Sequence, residues 1–130
     1  MRLVLDADVL IGALDREDEH HRAARRLFTG WRRRNDALLI SVVNLTEVLV
    51  APARDRAILS AAREAIDALG VSVHQPNGAV GVEAARLRGR HPISLPDAYC
   101  LATTKHTGAT LVSSDRRVLR AAQAEHITSL

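Results

Sequence analysis

The chain has 130 residues, 47% hydrophobic and 25% charged, the balance of a soluble globular protein of one domain. Lys and Arg outnumber Asp and Glu by 18 to 15, which admits nucleic acid as a partner, while aromatics at 2% exclude a base-stacking platform. A lone cysteine, Cys100, excludes an internal disulfide and a cysteine metal cluster, and no apolar run reaches the ~20 residues of a membrane span. The first residues carry two acids and no long apolar region, so no secretory signal is expected and the protein is read as cytoplasmic.

Leu3-Val4-Leu5 is a short apolar run that reads as a strand covered on both faces, as in a parallel sheet. It ends on Asp6, with Asp8 two residues on, at the start of a short helix over Val9–Leu14. The spacing of Ala23, Ala24, Leu27, Phe28 and Trp31 predicts an amphipathic helix over His20–Trp31. Arg32, Arg33 and Arg34 suit its C-terminal end through the helix dipole. Ala37–Ser41 reads as a second buried strand, Asn44–Ala51 as a helix stopped by Pro52, and Asp55–Leu69 as a helix stopped by Gly70. Val71–His74 is a third strand, Val80–Arg88 a helix, and Gly89–Pro92 a loop. Leu95–Thr107 is a helix ended by Gly108, Ala109–Ser113 a fourth strand, and Asp115–Glu125 the last helix. His126–Ser129 is a short candidate fifth strand. Strands alternating with helices imply a parallel sheet with helices on both faces.

Open sheets of this kind place ligands outside the carboxyl ends of their strands. Asp6 and Asp115 each end a strand, and Glu47 and Asp97 each lie near the start of a helix. Each has a plain structural use. Asn44-x-x-Glu47 and Ser94-x-x-Asp97 fit a capping box or its relative, and Asp8 and Asp115 fit N-caps. Together the acids point further. If their ends of the sheet coincide, carboxylates converge, repel one another, and call for a hard divalent cation. Oxygen-only ligation suits Mg²⁺ or Mn²⁺, which activate water for phosphodiester cleavage. His20 and His21 are adjacent, so on a helix they diverge and make a poor metal pair.

With these acids in place, the chain resembles the PIN domain, and within it the VapC toxins of type II toxin–antitoxin pairs. The residues that carry the resemblance are Val4-Leu5-Asp6-Ala7-Asp8-Val9-Leu10, Val43-Asn44-Leu45-Thr46-Glu47-Val48, Leu95-Pro96-Asp97-Ala98 with Ala102, and Gly108-Ala109-Thr110-Leu111-Val112-Ser113-Ser114-Asp115. It covers essentially the whole chain, 1–130, and implies a three-layer α/β/α sandwich around a mainly parallel sheet of four or five strands. It further implies a Mg²⁺- or Mn²⁺-dependent endoribonuclease that cleaves single-stranded RNA. Asp6, Glu47, Asp97 and Asp115 would be its catalytic, metal-holding set, with Asp8, Ser113 and Asn44 supporting them. Such toxins typically dimerise and are held inactive by a small DNA-binding antitoxin of the VapB type, in heterotetramers or larger assemblies. The family commonly has Ser, Thr or Asn where this chain has Asp8; a capping or supporting role is expected for it. An apolar groove for the antitoxin is expected between Val9–Leu14, the helix of Phe28 and Trp31, and Leu45–Leu49, with burial of both aromatics in the core as the equal alternative.

Two alternatives stand beside this reading. Leu3-Val4-Leu5-Asp6-Ala7-Asp8 also matches the opening of haloacid-dehalogenase-like phosphatases, with Asp6 as nucleophile and Asp8 as general acid. Against it, Leu10 replaces the expected Thr or Val, and no Gly-Asp-x-x-x-Asp motif appears. A non-catalytic α/β binding module is the other. A receiver domain would need an acceptor Asp at the end of the third strand, where His74-Gln75 stands.

Overall fold

A computed structural model describes all 130 residues. Four strands, β1 (Arg2–Leu5), β2 (Ala37–Ser41), β3 (Val71–His74) and β4 (Thr110–Val112), form one sheet in the order β3-β2-β1-β4. All three pairings are parallel, so every strand ends at the same edge of the sheet. β1 lies in the interior of the sheet, and Leu3, Val4 and Leu5 are wholly buried, as an apolar run in a two-sided parallel sheet requires.

Side chains alternate across the sheet and sort into two cores. Leu3, Leu5, Leu38 and Ile40 face one layer, built from α1 (Ala7–Leu14), α2 (His21–Arg34), α3 (Val42–Leu49) and α4 (Arg56–Ala68). Val4 and Leu111 face the other, built from α5 (Gly78–Arg90), α6 (Leu95–Thr107) and α7 (Arg116–Ala124). This is the expected three-layer sandwich.

Most elements fall where the sequence pattern puts them, and the departures have local causes. α3 begins before Asn44 because the Ser41 hydroxyl caps it, accepting from the Val43 N–H at 3.3 Å. Asn44 is therefore inside the helix and fully buried. α5 begins at Gly78, capped by Asn77, and runs through Gly89 to Arg90, half of the stretch expected as a loop. Pro52 opens a 3-10 turn over Pro52–Arg54 that leads into α4, capped by Asp55. The fifth strand shrinks to one bridge, Ser129 beside Leu111, reached after His126 turns the chain at φ +57°.

The basic end of α2 is used structurally. Arg32 donates to the Ala68 carbonyl at the end of α4, at 2.8 Å, and Arg34 pairs with Asp36 at 3.2 Å. A left-handed Asn35 (φ 56°) closes the helix. Phe28 and Trp31 meet edge to face with ring centroids 4.9 Å apart. At 5% and 1% exposure they belong to the core and not to a surface groove, because α2 turns its apolar stripe inward against α1 and the sheet.

Candidate metal and catalytic site

The site is built where β1 and β4 end. The backbone N–H of Asp6 still donates to the Val112 carbonyl at 2.9 Å, so the ladder carries this acid to the sheet edge. Its carboxylate caps α1, Oδ1 accepting from the Ala7 N–H at 2.8 Å, and Oδ2 accepts from the Ser113 hydroxyl at 2.8 Å. Asp6 is only 4% exposed. Burial, then the charge of Asp8, and further the charge of Asp97, push its carboxyl up to about 7 against the two hydrogen bonds.

Asp8 sits in the first turn of α1, and its Oδ2 accepts from both the N–H and the hydroxyl of Ser114. Its Oδ1 is buried with no partner. Glu47 lies on α3. As a residue it is exposed, yet its carboxylate is pushed up by desolvation and by Asp97 and Asp8, while Asn44 Nδ2, donating at 3.2 Å, pulls it down. Asn44 also donates to the Pro96 carbonyl at 3.0 Å, which ties α3 to the start of α6.

Asp97 occupies the third position of α6 in a complete capping box: the Ser94 N–H donates to its carboxylate at 3.0 Å, and its own N–H donates to the Ser94 hydroxyl at 3.3 Å. The structural use foreseen for this acid is therefore real, and it coexists with a place in the shared field of Asp6 and Glu47. Asp115 is different. It caps α7 through Arg117 and Val118, is exposed, and is not among the charges acting on Asp6 or Glu47. Its link to them runs through Ser113, whose oxygen accepts from the Asp115 N–H at 3.1 Å and whose hydroxyl holds Asp6.

Asp6, Asp8, Glu47 and Asp97 thus form one electrostatic group, with Asp115 at its rim. Three of these five acids lie at the N-terminal ends of α1 and α6, and Asp115 at that of α7, where the helix dipoles partly offset like charge. No three of the His, Cys, Asp and Glu side chains stand together as a finished coordination cage. The donor set nevertheless fits a hard divalent cation. It is all oxygen, its negative charge is uncompensated enough to raise two carboxyls, and one buried carboxylate oxygen of Asp8 lacks a partner.

One participant escaped the sequence reading. Ser114 anchors Asp8, signalled only by the tandem serines before Asp115. Cys100 lies fully buried behind the acids, and desolvation followed by the charges of Asp6, Asp97, Asp8 and Glu47 raises its thiol well above its ordinary range. An apolar cleft of about 530 Å³ opens beside Glu47, lined by Ile11, Leu14, Val48, Pro52 and Ile58.

Comparison with solved structures shows the same fold over nearly the whole chain. VapC20 of Mycobacterium tuberculosis, described as a sarcin–ricin loop cleaving toxin, aligns with a TM-score of 0.76 at 19% identity, covering 92% of this chain and 94% of that one. VapBC2 of Rickettsia felis, bound to a DNA fragment from its promoter, gives 0.73 at 13% identity, covering 100% and 98%. FitAcB of Neisseria gonorrhoeae gives 0.69 at 17% identity, covering 98% and 96%. No curated protein sequence matches the chain significantly. The family model of the PIN domain matches residues 3–124, and the chain belongs to the PIN domain family.

Proposed function

We propose that this protein is a Mg²⁺- or Mn²⁺-dependent endoribonuclease that cleaves single-stranded RNA, and the toxin of a type II toxin–antitoxin pair. One observation carries the reading: a cluster of carboxylates at the shared strand edge, buried enough to hold Asp6 near 7 and leaving an Asp8 oxygen unpartnered. Carboxylates so placed are costly without a cation. The match to the PIN domain agrees with nuclease chemistry and not with the phosphatase alternative.

Asp6, Glu47 and Asp97 would hold the ion, with Asp8 beside them and Asp115 at the rim. Such an ion, when bound, lowers the pKa of a coordinated water and offsets charge on the attacked phosphate. The chain's own contribution is orientation. Ser113 fixes Asp6, Asn44 fixes Glu47, and the Ser94 N–H fixes Asp97. Ser114 turns one oxygen of Asp8 away and leaves the other free.

The partner would be a VapB-like antitoxin, in a complex with a homodimer of this chain. The apolar cleft beside Glu47 suits an apolar segment whose neighbouring Arg or Lys reaches the acids. Several structural neighbours are toxin–antitoxin complexes, as in Klebsiella pneumoniae.

The test is cleavage of a circular single-stranded RNA, which only an endonuclease opens. Activity should require Mg²⁺ or Mn²⁺, stop with EDTA, and be lost in Asp6→Asn and Glu47→Gln. Undiminished cleavage in both variants would remove the assignment. Leu14→Glu should abolish co-purification with the product of the adjacent reading frame while leaving cleavage intact.

A further inference from the structure

The arginines of this chain are not equivalent. Those at the end of α2 that matter structurally are tied down, Arg32 to a carbonyl and Arg34 to Asp36. Arg86 is committed to Glu83 and Glu125. Arg116 and Arg120 are exposed on α7 and line a cavity of about 420 Å³ together with Leu119, Gln123, Ile127 and Ser129. Positions 116, 119, 120 and 123 fall at i, i+3, i+4 and i+7, so they share one stripe of the helix. Val118, Ala121 and Ala122 are buried, which fixes that stripe outward.

The cavity's other wall is the segment after His126, held to the free side of β4. The Leu111 N–H donates to the Thr128 carbonyl at 2.8 Å, and the Leu130 N–H to the Leu111 carbonyl at 3.0 Å. The result is a shelf with an apolar floor and a cationic lip. Arg116 directly follows Asp115, whose N–H shares Ser113 with Asp6. The shelf therefore starts at the rim of the acid cluster. Its volume lies in the range of small-ligand sites.

We propose that this stripe of α7, with Arg116, Arg120 and Gln123, is the track that holds the backbone of single-stranded RNA beside the acid cluster. The inference rests on the ribonuclease reading and adds to it where the substrate lies. The acids repel a polyanion, so a flanking cationic surface is needed to bring RNA to them. Two unpaired guanidinium groups one helical turn apart supply it, each suited to a phosphate. Gln123 and Ser129 offer neutral hydrogen bonds along the same line, and Leu119 and Ile127 give an apolar surface for a sugar or base edge.

The test separates binding from cleavage. A short fluorescent single-stranded RNA is titrated in EDTA, across a range of salt, against wild type, Arg116→Gln/Arg120→Gln, and the control Arg26→Gln/Arg33→Gln, which removes the same charge from α2. The α7 variant should bind about tenfold more weakly and lose about 1.4 from the slope of log affinity against log salt, as two lost phosphate contacts require. In metal-activated cleavage its KM should rise with kcat kept. The control should bind as wild type. Equal losses in both variants, or a wild-type slope in the α7 variant, would overturn the track. Equal weakening toward duplex DNA would make α7 a general polyanion surface and overturn its assignment to the RNA substrate. RNA binding lost in the α7 variant, from a protein that never cleaves, would sustain the track and reject the ribonuclease reading instead.

Discussion

Two groups of carboxylates sit on opposite terms with the fold. At the strand edge, Asp6, Asp8, Glu47 and Asp97 share a field with no cation among them, and the carboxyls of Asp6 and Glu47 are pushed up. Where α5, α6 and α7 meet, Glu83 and Glu125 are held by arginine, lysine and histidine side chains. Arg86 bridges both, at 2.6 and 2.8 Å, Lys105 reaches Glu83 at 2.8 Å, and His91 reaches Glu125 at 2.7 Å. Those hydrogen bonds hold both carboxyls down to about 2. The same side-chain chemistry is thus a liability in one place and a brace in the other. The difference lies in what surrounds it: the first group lacks the basic partners that brace the second, and the proposed ion would supply that charge.

The comparison can be broken most forcefully at Asp6. Asp6→Asn keeps an oxygen to accept from the Ala7 N–H, can only donate where the carboxylate accepted from the Ser113 hydroxyl, and removes charge from the proposed ion site. RNA cleavage should fall on the order of a hundredfold to a thousandfold, measured under single-turnover conditions. Stability should move the other way. The folded pKa of Asp6 is raised from 3.8 to about 7, so its neutral form is favoured by folding. In metal-free protein its contribution is best below the unfolded value and is lost as pH rises between 3.8 and 7, by roughly 4 kcal/mol in total. Denaturant melts in EDTA at pH 4 and pH 7.5 should show this loss in wild type and not in Asp6→Asn.

Metal should repair the same deficit. Mn²⁺ at a hundredfold excess over its Kd should stabilise the wild type by about 2.7 kcal/mol. Asp97→Asn, whose oxygen still serves the capping box, should melt higher than wild type in EDTA and gain less from Mn²⁺. If Asp97 only caps α6, the variant should lose about 0.3–1 kcal/mol and keep the full Mn²⁺ shift.

The brace responds to acid with the opposite sign. Glu83 and Glu125 have folded pKa values lowered to about 2, so their contribution is complete above 4.5 and is lost as pH falls through 2. Arg86→Ala should lower Tm at pH 7 by about 3–6 °C, and the difference should vanish toward pH 2. Mn²⁺ should leave that difference unchanged. The smallest effect concerns Cys100, whose raised, buried thiol should stay silent to a thiol reagent in the native protein and react only on unfolding.

What the sequence discloses and what it hides divide along the same physical line. Elements set by local pattern are legible: Leu3-Val4-Leu5, Ala37–Ser41 and Leu95–Thr107 fall where periodicity, Pro96 and Gly108 place them. Ends set by a single hydroxyl are harder, as when Ser41 and not Asn44 starts α3. Contacts distant in sequence are not legible at all. Nothing local tells that Asn44 grips the Pro96 carbonyl, that Ser114 holds Asp8, or that Arg86 joins Glu83 to Glu125. Within the site, Asp6 and Asp97 could be named from position. Asp8's membership of the charged group, and Asp115's place at its rim, depend on how α1 and α7 meet at the edge of β4. Phe28 and Trp31 leave core and groove both open in the sequence, because an apolar helix face reads alike whether it meets the core or a partner.

The hydrogen bond from Ser113 to Asp6 spans 107 residues, and β1, made first, lies between β2 and the strand made last. At 5–20 residues per second, a ribosome spends roughly 5–20 s between emitting the two partners. During that interval Asp6 has neither its clasp nor a neighbour strand on one side. The acid cluster is therefore assembled late, once β4 has joined β1, and not while only the first three strands exist.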